Sequence, residues 1–264
     1  MFVPILEQKP KEAFKVFSLY YEIITKKKLN ISYSEIIKYS KQQQNLQDRW
    51  YDSIKKKKVD YGVYNENDYL AELWACWVHC SRKYLLKIIS DKSMSNGGIM
   101  ANIGNVKRVV DLGCGIGYST IALKQIFSDS EVIGTNLENT IQMNFLKKLA
   151  IKNNFIIISD LKEINKPIDV VFASEYFEHF FEPIEHLKEI LNILQPRIIF
   201  TANAFGPKAI GHFDYYSAYD NQDKWLKLFN PKKTSILFNN ELRKQGYIKM
   251  KTNLWNNRPV FWKK

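Results

Sequence analysis

The spacing of apolar positions changes near residue 107, and the change predicts two kinds of architecture in one chain. Before that point the period is helical. Phe14, Phe17, Tyr20, Tyr21 and Ile24 recur at helical intervals across Ala13–Ile24, which predicts an amphipathic helix. Leu70, Leu73, Trp74, Trp77, Val78, Tyr84, Leu85 and Ile88 extend the same pattern over a longer stretch. Asn67 suits its N-cap, and Asp68 and Glu72 suit its positive end. Ser34 opens a shorter candidate helix containing Ile36, Ile37 and Tyr39. Beyond residue 107, short β-branched runs alternate with helical segments. Strands are expected at Val109-Val110, 131–136, 154–158, 168–173 and 197–201, then as a closing pair, 247–253 and 259–262, around Asn256-Asn257. Such alternation is the mark of a parallel α/β sheet. Ser93 to Gly98 reads as the loop between the two regions, giving an N-terminal helical region or cap at 1–98 and a sheet domain at 99–264.

The first of these strands carries the most specific chemistry. It runs into Asp111-Leu112-Gly113-Cys114-Gly115-Ile116-Gly117-Tyr118, and a helical pattern follows with Ile121, Ala122, Leu123 and Ile126. Glycines at alternate positions let backbone N–H groups approach a ligand, and the helix start suits an anionic group. The spacing is D-x-G-x-G-x-G. A dinucleotide fingerprint needs its third glycine where Tyr118 stands, and a P-loop needs a G-K-[ST] that is missing.

On these residues the stretch resembles motif I of the class I S-adenosylmethionine-dependent methyltransferases. From about Lys107 onward the strand succession also resembles that family's fold: a Rossmann-like, mostly parallel, seven-stranded α/β sheet with its last strand antiparallel. The resemblance implies a cofactor, S-adenosyl-L-methionine, and a site for it. Gly113, Gly115 and Gly117 would pass beneath its amino-acid end, and Asp111 would orient its ammonium. Asn136 stands where the family usually has an acidic residue accepting both ribose hydroxyls, with Glu138 as a substitute two residues on. Asp160 would bond the adenine amino group and Leu161 would donate its backbone N–H. Leu137 and Ser174 complete the implied set.

The fourth strand leads into Ser174-Glu175-Tyr176-Phe177-Glu178-His179. This S-E-x-x-E-H pattern resembles ubiquinone-pathway O-methyltransferases and related small-molecule enzymes. It also occurs in RNA 3′-terminal 2′-O-methyltransferases, where two carboxylates and two histidines hold a divalent metal. Glu175, Glu178 and His179 have a spacing that one helical turn can aim the same way, and His212 is a second histidine downstream. The four are a candidate metal set of mixed oxygen and nitrogen ligands. Without a metal, His179, His212 or Glu175 are candidates to accept a proton from the acceptor. Thr201-Ala202-Asn203 resembles the family's T-P-N segment, with Ala202 in place of proline.

Composition changes the picture in two places. Lys and Arg number 39 against 27 acidic residues, a formal net charge of +12. That excess suits a polyanionic partner, or marks a chain that is simply rich in lysine. Arg49, Trp50 and Tyr51, between the glutamines at 42–44 and the lysines at 55–58, read as a nucleic-acid surface or a solvated helix face. Tyr61, Tyr64 and Tyr69 read as the lining of a substrate mouth or as packing. The 3 cysteines, Cys76, Cys80 and Cys114, exclude a disulfide framework and are expected to be packed thiols. No apolar run reaches the roughly 18 residues of a membrane span, so a soluble cytoplasmic protein with no membrane partner is expected. There is neither a [DN]-P-P-[YFW] segment after the fourth strand nor a Pro-Cys pair, which disfavours the usual DNA-methylating mechanisms. Methyl transfer to a hydroxyl or amine of a small molecule is the favoured reading. RNA or DNA as acceptor, with metal-assisted 2′-O transfer as one form, stands beside it. So does a catalytically degenerate cofactor-binding module.

Overall fold

The computed structural model describes residues 5–36, 43–94, 97–219, 226–252 and 258–264. Ile37 and Tyr39 of the short candidate helix, Ser95 and Asn96 of the expected loop, and the Asn256-Asn257 turn lie outside them. In chain order come α1 (Pro10–Thr25), α2 (Gln44–Lys55), a 3-10 turn (Tyr61–Asn65), α3 (Tyr69–Cys76), a π turn (Trp77–Ser81), α4 (Arg82–Ser90) and α5 (Gly98–Ile103). Then follow β1 (Arg108–Leu112), α6 (Tyr118–Ile126), β2 (Glu131–Thr135), α7 (Ile141–Asn153), β3 (Ile156–Ile158), β4 (Val170–Ser174) and α8 (Pro183–Leu194). The chain ends with β5 (Ile198–Ala202), β6 (Tyr216–Tyr219), β7 (Leu226–Phe229), α9 (Pro231–Lys244), β8 (Ile248–Lys249) and β9 (Val260–Lys263).

Seven strands form one sheet in the order β3-β2-β1-β4-β5-β9-β8. The β2–β3, β1–β4 and β4–β5 pairs are parallel, and β9 runs antiparallel to both β5 and β8. Strand order reverses between β1 and β4. Open α/β sheets bind ligands beyond the strand C-termini at such a reversal. The expected sheet is therefore present with its antiparallel strand, while the β6–β7 hairpin went unread in the sequence. Glycine 98 also begins the short α5 rather than lying in a continuous loop. No described helix is long and apolar enough to cross a membrane.

By contacts the chain divides into two compact units, Met1–Leu86 with Gly113–Ser159, and Lys87–Leu112 with Asp160–Lys264. In the first, α1 packs on α7 through aromatic rings. Phe17 lies 5.8 Å from both Trp74 and Phe145, and Phe14 meets Trp74 edge-on at 5.1 Å. Phe17, Trp74 and Phe145 are fully buried. The long helix predicted from Asn67 begins at Tyr69, with Asp68 rather than Asn67 at its cap, and opens into the π turn midway. The apolar spacing carried no sign of that turn, because widening one turn leaves the buried face almost where it was.

The second unit holds the apolar strands. Val109, Val110, Val170, Val171, Ile198, Ile199 and Phe200 are all buried, as unbroken β-branched runs in a two-sided sheet require. Asp169 accepts the N–H groups of Lys107 and Arg108 and meets Arg197 at 3.5 Å, tying the starts of β1, β4 and β5 together. Phe200 stacks on Phe261 of β9 at 4.9 Å.

The ring cluster of the first unit should carry much of its stability. Trp74→Ala is expected to cost about 3–5 kcal/mol, read as a lower urea midpoint. A loss no larger than that of an exposed substitution would show that the cluster relaxes freely.

Candidate active site

The glycine loop is shaped by its own backbone. Gly113, Gly115 and Gly117 have φ of 62, 56 and 86°, the left-handed region that side chains with a Cβ disfavour. A Cβ on Gly117 would lie 2.6 Å from Leu146 Cδ2, and one on Gly115 would lie 3.2 Å from Leu73 Cδ2. The end of β2 holds the loop in this path. The Gly113 and Cys114 N–H groups donate to Thr135 Oγ1 (3.1 Å) and to the Thr135 carbonyl (3.0 Å). Asn136 Nδ2 donates to the Gly115 carbonyl (2.8 Å) and to Gln142 Oε1 (3.0 Å), while its Oδ1 accepts the Leu137 N–H (2.8 Å). Gln142 is buried and passes the chain of bonds on, donating to the Tyr64 carbonyl at 3.3 Å. Leu137 itself is exposed. The sequence singled out Asn136 but not Gln142, which is one unremarkable polar residue in a helix.

The other candidate cofactor residues follow strand ends in the second unit. Asp111 is buried within β1 and Ser174 closes β4. Asp160 follows β3 and caps a short 3-10 turn containing Leu161, its carboxylate accepting the Lys162 N–H at 2.9 Å. The buried carboxylate before the loop and the exposed one after β3 are both acceptors, which is what the cofactor's ammonium and adenine amino groups, both donors, need. On that chemistry the chain fits S-adenosylmethionine at these two ends. At the ribose end the fit differs, because the Asn136 amide already bonds protein groups.

The S-E-x-x-E-H residues form a tight turn instead of a helical face. Glu175 takes φ of 52°, a left-handed conformation uncommon for a side chain of this kind, and its N–H donates to the Ala202 carbonyl. Such local strain concentrates at functional sites. Glu178 is fully buried, and its Oε1 accepts the Ala204 N–H at 2.6 Å. Its carbonyl accepts the Tyr216 hydroxyl at 3.2 Å. His179 and His212 do come together, with ring centroids 5.0 Å apart and planes nearly perpendicular. His212 Nδ1 lies 2.8 Å from the Pro207 carbonyl, which can only accept, so Nδ1 carries the proton and Nε2 holds the lone pair. Among the described residues, no group of three or more His, Cys, Asp and Glu side chains is arranged to hold a metal ion.

Two further features were unread in the sequence. His186 of α8 bonds the Tyr176 hydroxyl at 2.8 Å and stacks on Phe180 at 3.8 Å. Glu72 of α3, expected from the sequence only to suit the helix's positive end, is largely enclosed, and burial raises its pKa. The basic aromatic stretch resolves into packing at its centre: Trp50 is fully buried and Arg49 pairs with Asp60 and Glu66 at 2.6 and 2.5 Å. Tyr64 and Tyr69 are buried as well, leaving Tyr61 half exposed at 51%. Cys114 is buried and Cys76 and Cys80 are half-buried, and none of the three is in a disulfide.

Comparison with known proteins bears on the family and the fold. The family model for a methyltransferase domain matches residues 103–246, more than half the chain. An O-methyltransferase family protein from Burkholderia thailandensis has a similar fold, with a TM-score of 0.54 at 10% identity over 86% of this chain and 70% of that one. A candidate O-methyltransferase from Nostoc punctiforme aligns at a TM-score of 0.47 and 12% identity, over 77% of this chain. This chain spans 60% of that protein's length.

Burial sets opposite protonation preferences within the second unit. Desolvation first, and the neighbouring Glu175 second, raise the Glu178 pKa well above its usual 4.5, which favours its neutral form. His179 keeps partial surface exposure, yet desolvation and then His212 push its pKa from 6.5 down to about 3. His212 is lowered too, by burial. A raised carboxyl pKa contributes stability below 4.5 that is lost as pH rises, whereas a depressed imidazole contributes above 6.5 and is lost as pH falls towards 3. Glu178→Gln keeps an acceptor for the Ala204 N–H and cannot ionise. It should reduce the loss of stability between pH 5 and pH 8 measured by urea denaturation. An unchanged loss would mean that Glu178 is ionised in the folded state.

Proposed function

The chain belongs to the class I S-adenosylmethionine-dependent methyltransferase superfamily, and we propose that its acceptor is a hydroxyl, or less demandingly an amine, on a small molecule. The enzyme uses S-adenosylmethionine, which when bound supplies a methyl group on a sulfonium already activated for in-line displacement. The protein's task is then to align donor and acceptor and to exclude water. An amine acceptor brings its own lone pair. A hydroxyl acceptor must shed a proton as the new C–O bond forms.

The observation that carries this reading is the neutral histidine pair. His212, with Nδ1–H held by the Pro207 carbonyl, presents its Nε2 lone pair as the proton's destination. Its lowered pKa keeps that lone pair available across neutral pH. His179 stands beside it, also neutral, so the pair does not repel a proton as two imidazolium ions would. Glu178, its Oε1 bonded to the Ala204 N–H, acts as a brace for the turn, and Glu175 is the other carboxylate near it. Asp111, the glycine loop, Asp160, Leu161 and Ser174 are the proposed cofactor contacts. A divalent metal at Glu175, Glu178, His179 and His212 has less support, because among the described residues these side chains are not grouped as a ligand set and Glu178 Oε1 already accepts the Ala204 N–H.

The net charge of +12 supports a second reading, a nucleic-acid acceptor. Against it, the aromatic ring best placed in the basic stretch, Trp50, is buried.

Two measurements decide between them. With tritiated S-adenosylmethionine, label should enter small hydroxylated or aminated acceptors from a compound panel; label in acid-precipitable RNA, with steep salt dependence, would overturn the proposal. His212→Ala should lower kcat for a hydroxyl acceptor by about 10²–10⁴-fold while S-adenosylhomocysteine binding stays the same. The wild-type rate should fall only as pH drops below the ordinary imidazole range. Full activity in His212→Ala would remove this residue as the base.

A further inference from the structure

We propose that Asn136 is a positioning residue that holds the glycine loop in its cofactor-binding shape, and that it does this instead of gripping the ribose. The inference rests on the loop being the cofactor's cradle. It reverses what position 136 implies by resemblance.

The geometry fixes which way the amide points. Gly115 offers only a carbonyl oxygen on one side, and Leu137 offers only an N–H on the other. A flipped amide would set oxygen against oxygen and N–H against N–H. Asn136 Nδ2 therefore has both hydrogens committed, one to the buried Gly115 carbonyl and one to Gln142 Oε1. Oδ1 already accepts one N–H. What remains for a ribose is at most one lone pair, where a carboxylate would offer two oxygens.

Chemistry explains why an amide stands here. Gly115 sits at φ of 56° between two other left-handed glycines, so its carbonyl points away from the ordinary ladder and needs a side-chain donor. An aspartate cannot donate. Placed at 136, it would put a carboxylate oxygen about 3 Å from the Gly115 carbonyl, both of them acceptors. Gln142 could turn its own amide to donate to that carboxylate, but only by leaving the Tyr64 carbonyl. The chain of bonds Gly115–Asn136–Gln142–Tyr64 is closed with each donor matched to an acceptor, and one carboxylate breaks it at two places.

Calorimetric titration with S-adenosylhomocysteine and its 2′-deoxyribose analogue tests this. In the wild type the two ligands should bind within about threefold of each other, because little is lost with the hydroxyl. Asn136→Asp, which introduces the residue type usual in the family, should weaken both by about tenfold or more. Asn136→Ala should weaken both by a common factor. Gln142→Glu, which keeps the acceptor for Asn136 but gives up the donor to Tyr64, should weaken both less. Ligand-free thermal melts of each variant separate loss of folding from loss of the loop's shape. Tighter binding by Asn136→Asp would overturn the proposal. So would a wild-type preference for the ribose hydroxyl that Asn136→Ala abolishes. If the folded wild type bound neither ligand, the reading of the loop as the cofactor's cradle would fall with it.

Discussion

Three left-handed residues within five positions, Gly113, Gly115 and Gly117, are the constraint from which the first unit follows. A backbone so turned cannot join a helix or a strand ladder, so its polar groups must find partners elsewhere. They find them at the end of β2. Thr135 takes the first two amides, Asn136 takes the Gly115 carbonyl, and the Gly117 N–H closes back on the Cys114 carbonyl. Leu73 and Leu146 then fill the space that missing Cβ atoms leave open. The loop's path is thus tied down by the protein's own hydrogen bonds and packing. Pre-organisation of this kind lowers the ordering cost of binding.

In the second unit the governing effect is desolvation. The turn after β4 takes a carboxylic acid and an imidazole out of water and shifts both towards their neutral forms. Each shift has the same cause, yet the consequences are opposite. The acid is a hydrogen-bonding strut to Ala204, and the imidazoles favour their unprotonated form. Chemistry on an already activated methyl donor asks for no more than a correctly placed lone pair and a dry environment.

Much of this was legible in residue order alone. The switch from helical spacing to β-branched runs announced the sheet, and D-x-G-x-G-x-G excluded two nucleotide classes before any coordinates, because turn chemistry is local. The S-E-x-x-E-H segment was equally visible, and so was His212. Its helical spacing misled, though. Glu175 is left-handed and the segment forms a 3-10 turn over Phe177–His179, so i, i+3 and i+4 do not share one face there. Trp50, between the glutamines and the lysines, could be read as part of a nucleic-acid surface or of a solvated helix face, and its ring is in the core.

Sequence by itself determined the fold class, the glycine loop and the family to which both belong, since these depend on period, turn geometry and spacing within one stretch. Tertiary structure decided what the polar side chains do there. Asn136 faces Gly115 and Gln142, residues separated from it by 21 and 6 positions, and no local pattern states that pairing. His212 meets His179 across a helix, a strand and the segments that join them. Hydrogen-bond partners and protonation states follow from which atoms exclude water from which others, and that is settled only when the chain is packed.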